Sequence, residues 1–140
     1  MIHQFALIAS VALLSGCAAL HSSSECEANF NTEGSIVTGK KLTTSSMLPG
    51  VTPGLAFQRL SAIMLEEGFH IEFSDSRRGL ISAYQDVNYS NKRAPLNAIV
   101  EALPSGTKVT LVFVAAAGIY APDSGAQGEF CKIINGVVTK

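Results

Sequence analysis

The clearest pattern of apolar and polar positions lies between residues 52 and 68. Thr52-Pro53-Gly54-Leu55 opens a segment in which Ala56, Leu60, Ile63 and Met64 recur at i, i+4, i+7 and i+8, with Phe57 beside them. Arg59, Ser61, Glu66 and Glu67 take the other side. That spacing predicts an amphipathic helix, with Thr52 as N-cap, Pro53 at the first helical position and Gly68 as the stop. Phe69 to Ser74 then alternates strictly, which places Phe69, Ile71 and Phe73 on one face of a half-buried strand. Asp75-Ser76-Arg77-Arg78-Gly79 turns the chain, and Leu80 to Gln85 returns as the second arm of a hairpin. Lys108 to Val114 is another alternating strand, with Val109, Leu111 and Phe113 on one face.

Three segments are less distinct. Leu96, Ile99, Val100 and Leu103 fit a helical face, whereas Leu96, Ala98, Val100 and Ala102 fit a strand. The strand is preferred, because Pro104-Ser105-Gly106-Thr107 makes a tight connection straight into Lys108. Ser35 to Ser46 is Thr-rich and predicts an outer strand, with Gly39 the place for a bulge. Near the end of the chain, Ser124 with Gln127 has the form of a capping box, and Phe130, Ile133, Ile134 and Val137 follow at helical spacing. Gly125, Gly128 and Gly136 each weaken that helix by about 1 kcal/mol relative to Ala. The order β-α-β-β-β-β-α predicts an α+β fold over residues 30–140: an antiparallel sheet of about four to five strands with two helices on one face.

The start of the chain carries a different signal. Phe5 to Leu14 is an uncharged run of ten residues, too short for a spanning helix of roughly 20 residues, and it reads as the apolar region of a cleaved signal peptide. Leu14-Ser15-Gly16-Cys17 follows at once. This resembles the lipobox of bacterial lipoproteins, which implies a signal peptide over residues 1–16 and lipid attached to Cys17 as the first mature residue. It also implies that the chain is held on a membrane through that lipid, and multiple acyl chains make such attachment stable. Ala18-Ala19, in place of an Asp after the Cys, implies passage to the outer membrane, with the domain facing the periplasm. Residues 17–29 read as the lipidated Cys and a polar, Ser-rich tether, of which residues 18–29 reach about 40 Å at most.

With Cys17 given to lipid, Cys26 and Cys131 remain, and in an oxidising compartment pairing is the default. The bond would close a loop of about 105 residues and fasten the glycine-rich terminal helix, so reduction is expected to loosen that helix first. Neither a second Cys pair nor a His at ligand spacing accompanies them, so no metal is expected.

Composition narrows the function classes. Ten Lys and Arg stand against 11 Asp and Glu, with no basic excess for binding nucleic acid. His70, Glu72 and Ser74 share the solvent side of one strand with Asp75 next, but strand neighbours stand roughly 6.5–7 Å apart, beyond the reach of a base to its nucleophile. They read as a solvated face. A catalytic His70 would need a nucleophile from another strand, such as Ser82. Gly50 to Gly54 reads as a capped turn rather than an anion site, and Arg77-Arg78 and Lys92-Arg93 as two turns at opposite ends of a strand. Asn88-Tyr89-Ser90 matches a glycosylation pattern out of place in a bacterial chain. Ala115 to Tyr120 packs under the second helix or forms an apolar surface for a partner.

The helix followed by the Phe-Xaa-Ile-Xaa-Phe hairpin resembles the small helix-grip domains of envelope lipoproteins, including the lipoprotein subunit of the outer-membrane β-barrel assembly machine. The expectation is therefore a non-catalytic, outer-membrane-anchored binding or assembly module, with no cofactor and with an envelope protein as candidate partner. The alternatives are a periplasmic binder of a small apolar or cell-wall ligand, held between sheet and helices, and a hydrolase.

Overall fold

Why the helix at Pro53 starts where it does is visible in its first turn. In the computed structural model, which describes residues 21–140, the Thr52 hydroxyl accepts the Leu55 N–H at 3.3 Å. Pro53 follows as the first helical residue. Of the N–H groups that a helix leaves unpaired at its start, one is thus absent at Pro53 and one is satisfied at Leu55. Ala56, Leu60, Ile63 and Met64 are all buried, and Gly68 ends the helix with φ +87°, a conformation that favours glycine.

The elements run α1 (His21–Ala28), β1 (Asn31–Ser35), β2 (Gly39–Leu48), α2 (Pro53–Glu66), β3 (His70–Asp75), β4 (Leu80–Asp86), β5 (Arg93–Leu103), β6 (Gly106–Ala115) and α3 (Asp123–Thr139). The strands form one six-stranded sheet in the order β1-β2-β6-β5-β4-β3, and every pairing is antiparallel. The α+β architecture with an antiparallel sheet is as expected, and Leu96 to Leu103 lies within strand β5. One face of the sheet carries the core. Leu42, Leu96 and Leu111 from the sheet pack with Leu60 and Met64 of α2 and with Ile133, Ile134 and Val137 of α3, all of them fully buried. Among the described residues no helix is long and apolar enough to cross a membrane.

Several expectations are corrected. Ser35 to Ser46 is not one outer strand: β1 and β2 form a hairpin around Ile36–Thr38, and β2 lies inside the sheet between β1 and β6. Gly39, with φ +93°, closes that hairpin opposite Ser35 and is not a bulge. The described residues therefore form a sheet of six strands, where four to five were expected, and three helices, where two were expected. The bulge occurs instead in β3, between Ile71 and Phe73. An inserted residue reverses the alternation, so Phe73 faces outward opposite Ser82 and is 52% exposed, while Ile71 stays on the core side. Ala102 is exposed as well, because β5 runs past the end of the core before its turn.

At α3, Pro122 occupies the N-cap and no side chain caps the helix. Ser124 and Gln127 form no capping box, and the Gln127 amide donates instead to the Glu27 carbonyl at 3.2 Å. Part of the expected tether is itself ordered: residues 21–28 form α1, which packs on β2 and α3. The expected signal peptide over residues 1–16 and the expected lipidation site Cys17 lie outside the described residues.

Cys26 and Cys131 form a disulfide with 5.7 Å between their Cα atoms, and both residues are buried. The bond joins α1 to α3 above β2. Thr44 completes the junction, since its hydroxyl, buried on the core face, donates to the Cys26 carbonyl at 2.6 Å.

Candidate functional site

Among the described residues, no helix covers the second face of the sheet. Its composition follows from strand alternation. With Leu96, Ala98 and Val100 turned to the core, β5 must present Pro95, Asn97 and Ile99 outward. By the same rule β4 presents Leu80, Ser82 and Tyr84, and β6 presents Thr110 and Val112. Register aligns these into rows across the sheet. Phe73, Ser82, Asn97, Val112 and Thr43 form one, and Leu80, Ile99, Thr110 and Ser45 the next. The second row begins at Asp75 on the edge strand, opposite Leu80; inward of that edge neither row carries a charge. Phe73, Leu80 and Ile99 wall a shallow apolar cleft of about 210 Å³, with Ser82 and Asn97 at its floor.

Charged residues stand at the rim of this uncharged centre, and at one corner they are organised. Tyr84 faces His70 across the β3–β4 pair, with ring centroids 5.1 Å apart and the rings stacked. The Arg93 guanidinium lies 4.0 Å from the centroid of the Tyr84 ring. Arg93 is also 3.2 Å from a Glu72 oxygen and 3.9 Å from Asp86, and Asp86 is 3.7 Å from His70 Nε2. These side chains are at least half exposed, so each ion pair adds little stability by itself. Their effect is to hold Tyr84 flat against the sheet between a ring and a guanidinium. An uncharged centre with an anchored aromatic and a charged rim is the anatomy of a protein–protein contact surface.

The sequence candidates distribute as follows. His70 and Glu72 belong to this corner. Ser74 pairs with Ile81, whose side chain is buried, and so lies on the opposite side of the sheet from His70. The strict three-residue solvated row is therefore broken by the β3 bulge. Ser82 pairs with Phe73, whereas His70 pairs with Tyr84 two positions along β4. That spacing is roughly 6.5–7 Å, so the structure does not bring His70 and Ser82 together. Asp75 acts locally, accepting the N–H groups of Arg77 and Arg78 at 3.0 and 3.1 Å. Arg77-Arg78 and Lys92-Arg93 lie at opposite ends of β4, as expected. Gly50 to Gly54 is a capped turn beside the start of α2. Ile119 is buried while Tyr120 is 79% exposed, and the segment is held by the Gly118 N–H on the Ile36 carbonyl at 2.7 Å. Among the described residues, no group of three or more His, Cys, Asp or Glu side chains is placed to hold a metal ion.

One carboxyl pair has shifted titration, and it lies on the helical side. Lys132 donates to Glu67 at 2.9 Å. This holds Glu67 below its ordinary range, helped by a hydrogen bond with Glu129. Burial, then the neighbouring Glu67, push Glu129 up, and the bond to Glu67 raises Lys132. The group ties the end of α2 to α3.

The outward cluster is not visible in any single strand, because Tyr84 and Arg93 come from different strands. The available signal was the β4–β5 register, which sets Asp86 opposite Arg93.

No family model matches this chain, and no curated protein matches it. Among solved structures, it is similar to a conserved protein of unknown function, EF2215, from Enterococcus faecalis. The TM-score is 0.54 at 7% identity, covering 84% of this chain and 80% of that one. It also matches Ara h 8.0201 with a TM-score of 0.44 and 10% identity, over 72% of this chain and 96% of that one. The likeness to the Enterococcus protein is one of fold alone.

Proposed function

We propose that this chain is a lipid-anchored, non-catalytic module of the bacterial cell envelope, acylated on Cys17 and facing the periplasm from the outer membrane. In this reading it binds or assembles with an envelope protein through the outward face of its sheet. The observation that carries the reading is the contrast between the two faces. The space between sheet and helices is filled by side chains such as Leu60, Met64, Leu96, Leu111 and Ile134, all fully buried. The other face is uncharged at its centre, is covered by no helix among the described residues, and bears an exposed Phe73. A filled interior favours this reading over a small apolar ligand held between sheet and helices.

The test is complementation of a strain lacking the protein. Phe73→Glu combined with Ile99→Glu should abolish complementation while the protein accumulates normally, because two charges would be buried unpaired in the contact. His70→Ala should complement, since Arg93 still lies against the Tyr84 ring and the uncharged centre is untouched. Normal function of the double variant, or a null phenotype for His70→Ala in a stably folded protein, would refute the reading. Cys17→Ala should leave the protein off the membrane and unprocessed; normal processing and membrane attachment would refute the anchor.

A further inference from the structure

The direction of α1 sets which end of the domain meets the membrane. Beyond Thr43, β2 has no strand partner on its β1 side, and α1 lies along that open edge. The Asn29 amide donates to the Ser45 carbonyl at 2.9 Å, and the Glu25 carboxylate accepts the Met47 N–H at 3.3 Å. Four helical residues rise about 6 Å, and two strand residues about 6.7 Å. The spacings match, so α1 runs antiparallel to β2, with its N-terminus toward Leu48. One further turn puts His21 about level with Pro49. Cys17 is four residues earlier in the sequence, a length of chain that spans about 14 Å at most.

That end of the domain consists of the Pro49–Thr52 loop, the β5–β6 turn and the β3–β4 turn, which adjoin one another. Leu48 pairs with Thr107, and the Val100 N–H donates to the Gly79 carbonyl at 2.7 Å. Leu103 is 39% exposed here and Leu55 38%. Two cations, Arg77 and Arg78, project from the β3–β4 turn. Arg78 is 3.7 Å from Asp75 yet 76% exposed, and among the described residues no carboxylate pairs with Arg77. Of the nearby acids, Asp75 is taken up by the turn itself, and Glu101 sits opposite Lys108.

We propose that this end rests on the bilayer, with Leu103 at the interface and Arg77 and Arg78 against anionic lipid headgroups. The proposal depends on the acylated Cys17 of the preceding section and adds the orientation. Two features select a lipid surface over another occupant: an acylated Cys17 would be tethered to this end through four residues, and the exposed cations here complement anionic headgroups. Held this way, the strands stand away from the membrane and the outward face of the sheet is open to a partner from the side.

The chain contains no Trp, so a single introduced Trp reports position without background. Leu103→Trp marks the proposed contact, and Tyr120→Trp marks the opposite end of β6, roughly 30 Å away. The full acylated protein is reconstituted into vesicles of phosphatidylethanolamine and phosphatidylglycerol with brominated acyl chains. Leu103→Trp fluorescence should be quenched severalfold more than Tyr120→Trp. Adding Arg77→Glu and Arg78→Glu should roughly halve the Leu103→Trp quenching in anionic vesicles, and change little in vesicles of neutral lipid. Equal quenching at both positions, or stronger quenching at Tyr120→Trp, overturns the orientation and leaves the anchor standing. Failure of the purified protein to float with vesicles overturns the anchor, and the orientation with it.

Discussion

Reduction of Cys26–Cys131 should act on the molecule at two levels. The bond spans 105 residues of sequence, and the chain-entropy picture assigns about 4–5 kcal/mol to so long a loop. Global unfolding should therefore move down by roughly 15–20 °C in Tm on reduction. The local effect falls on α1. Eight residues are too few for a stable helix on their own, and Cys26 is its anchor in the core. Without the bond, the described part of α1 is held by the Thr44, Asn29, Glu25 and Gln127 hydrogen bonds. The terminal helix stands differently. Phe130, Ile133, Ile134 and Val137 are buried whether or not the bond is present, each contributing about 1.5–3 kcal/mol. This reverses the order expected from the glycines of α3 alone. Hydrogen exchange on protein starting at residue 21, with and without reductant, should show residues 25–30 losing protection well before residues 130–137. Unchanged protection of α1 after reduction, or loss in α3 first, would refute the reasoning.

Other perturbations have equally defined outcomes. Thr52→Ala removes the acceptor of the Leu55 N–H and should cost about 1 kcal/mol, read as a Tm lower by about 4 °C. Gly79→Ala should be more damaging, because Gly79 has φ +69° and a Cβ there would run into the Val100 carbonyl; denaturant titration should show a loss above about 2 kcal/mol. Glu129→Gln should stabilise at pH 7. Raised above its unfolded-state value, Glu129 costs nothing below the ordinary carboxylate range and weakens the fold as pH rises through its folded value. Glu67, lowered by Lys132, acts oppositely and is retained in that variant. The advantage should shrink as pH falls toward 4, and a loss of Tm at pH 7 would contradict it.

How much was legible in the sequence depended on how much each element buries. The helix at Pro53 carries both its stripe and its caps in local sequence, and β4 and β6 alternate, so these were readable; Leu96 to Leu103 of β5 fits a helical face as well as a strand, and only the short connection into β6 favoured the strand. The first helix was not, because His21–Ala28 contributes Cys26 to the core and shows no apolar stripe. Asn31–Ser35 is a polar edge strand whose existence depends on pairing with β2. The bulge that turns Phe73 outward adds one residue without any local mark, so strict alternation gave the wrong face. That error concealed the exposed cleft of Phe73, Leu80 and Ile99, and the Tyr84–Arg93 contact was hidden for a related reason, as it exists only in the β4–β5 register.

The most direct test of the proposed docking face is photocrosslinking in the native envelope. A photoreactive residue is placed at Phe73 and, in a separate protein, at Leu65, which is 57% exposed on α2. The account predicts one discrete protein adduct from Phe73, absent from Leu65 and lost when Ile99→Glu is added. Adducts of the same kind from both positions, or from Leu65 alone, would contradict a partner seated on the sheet.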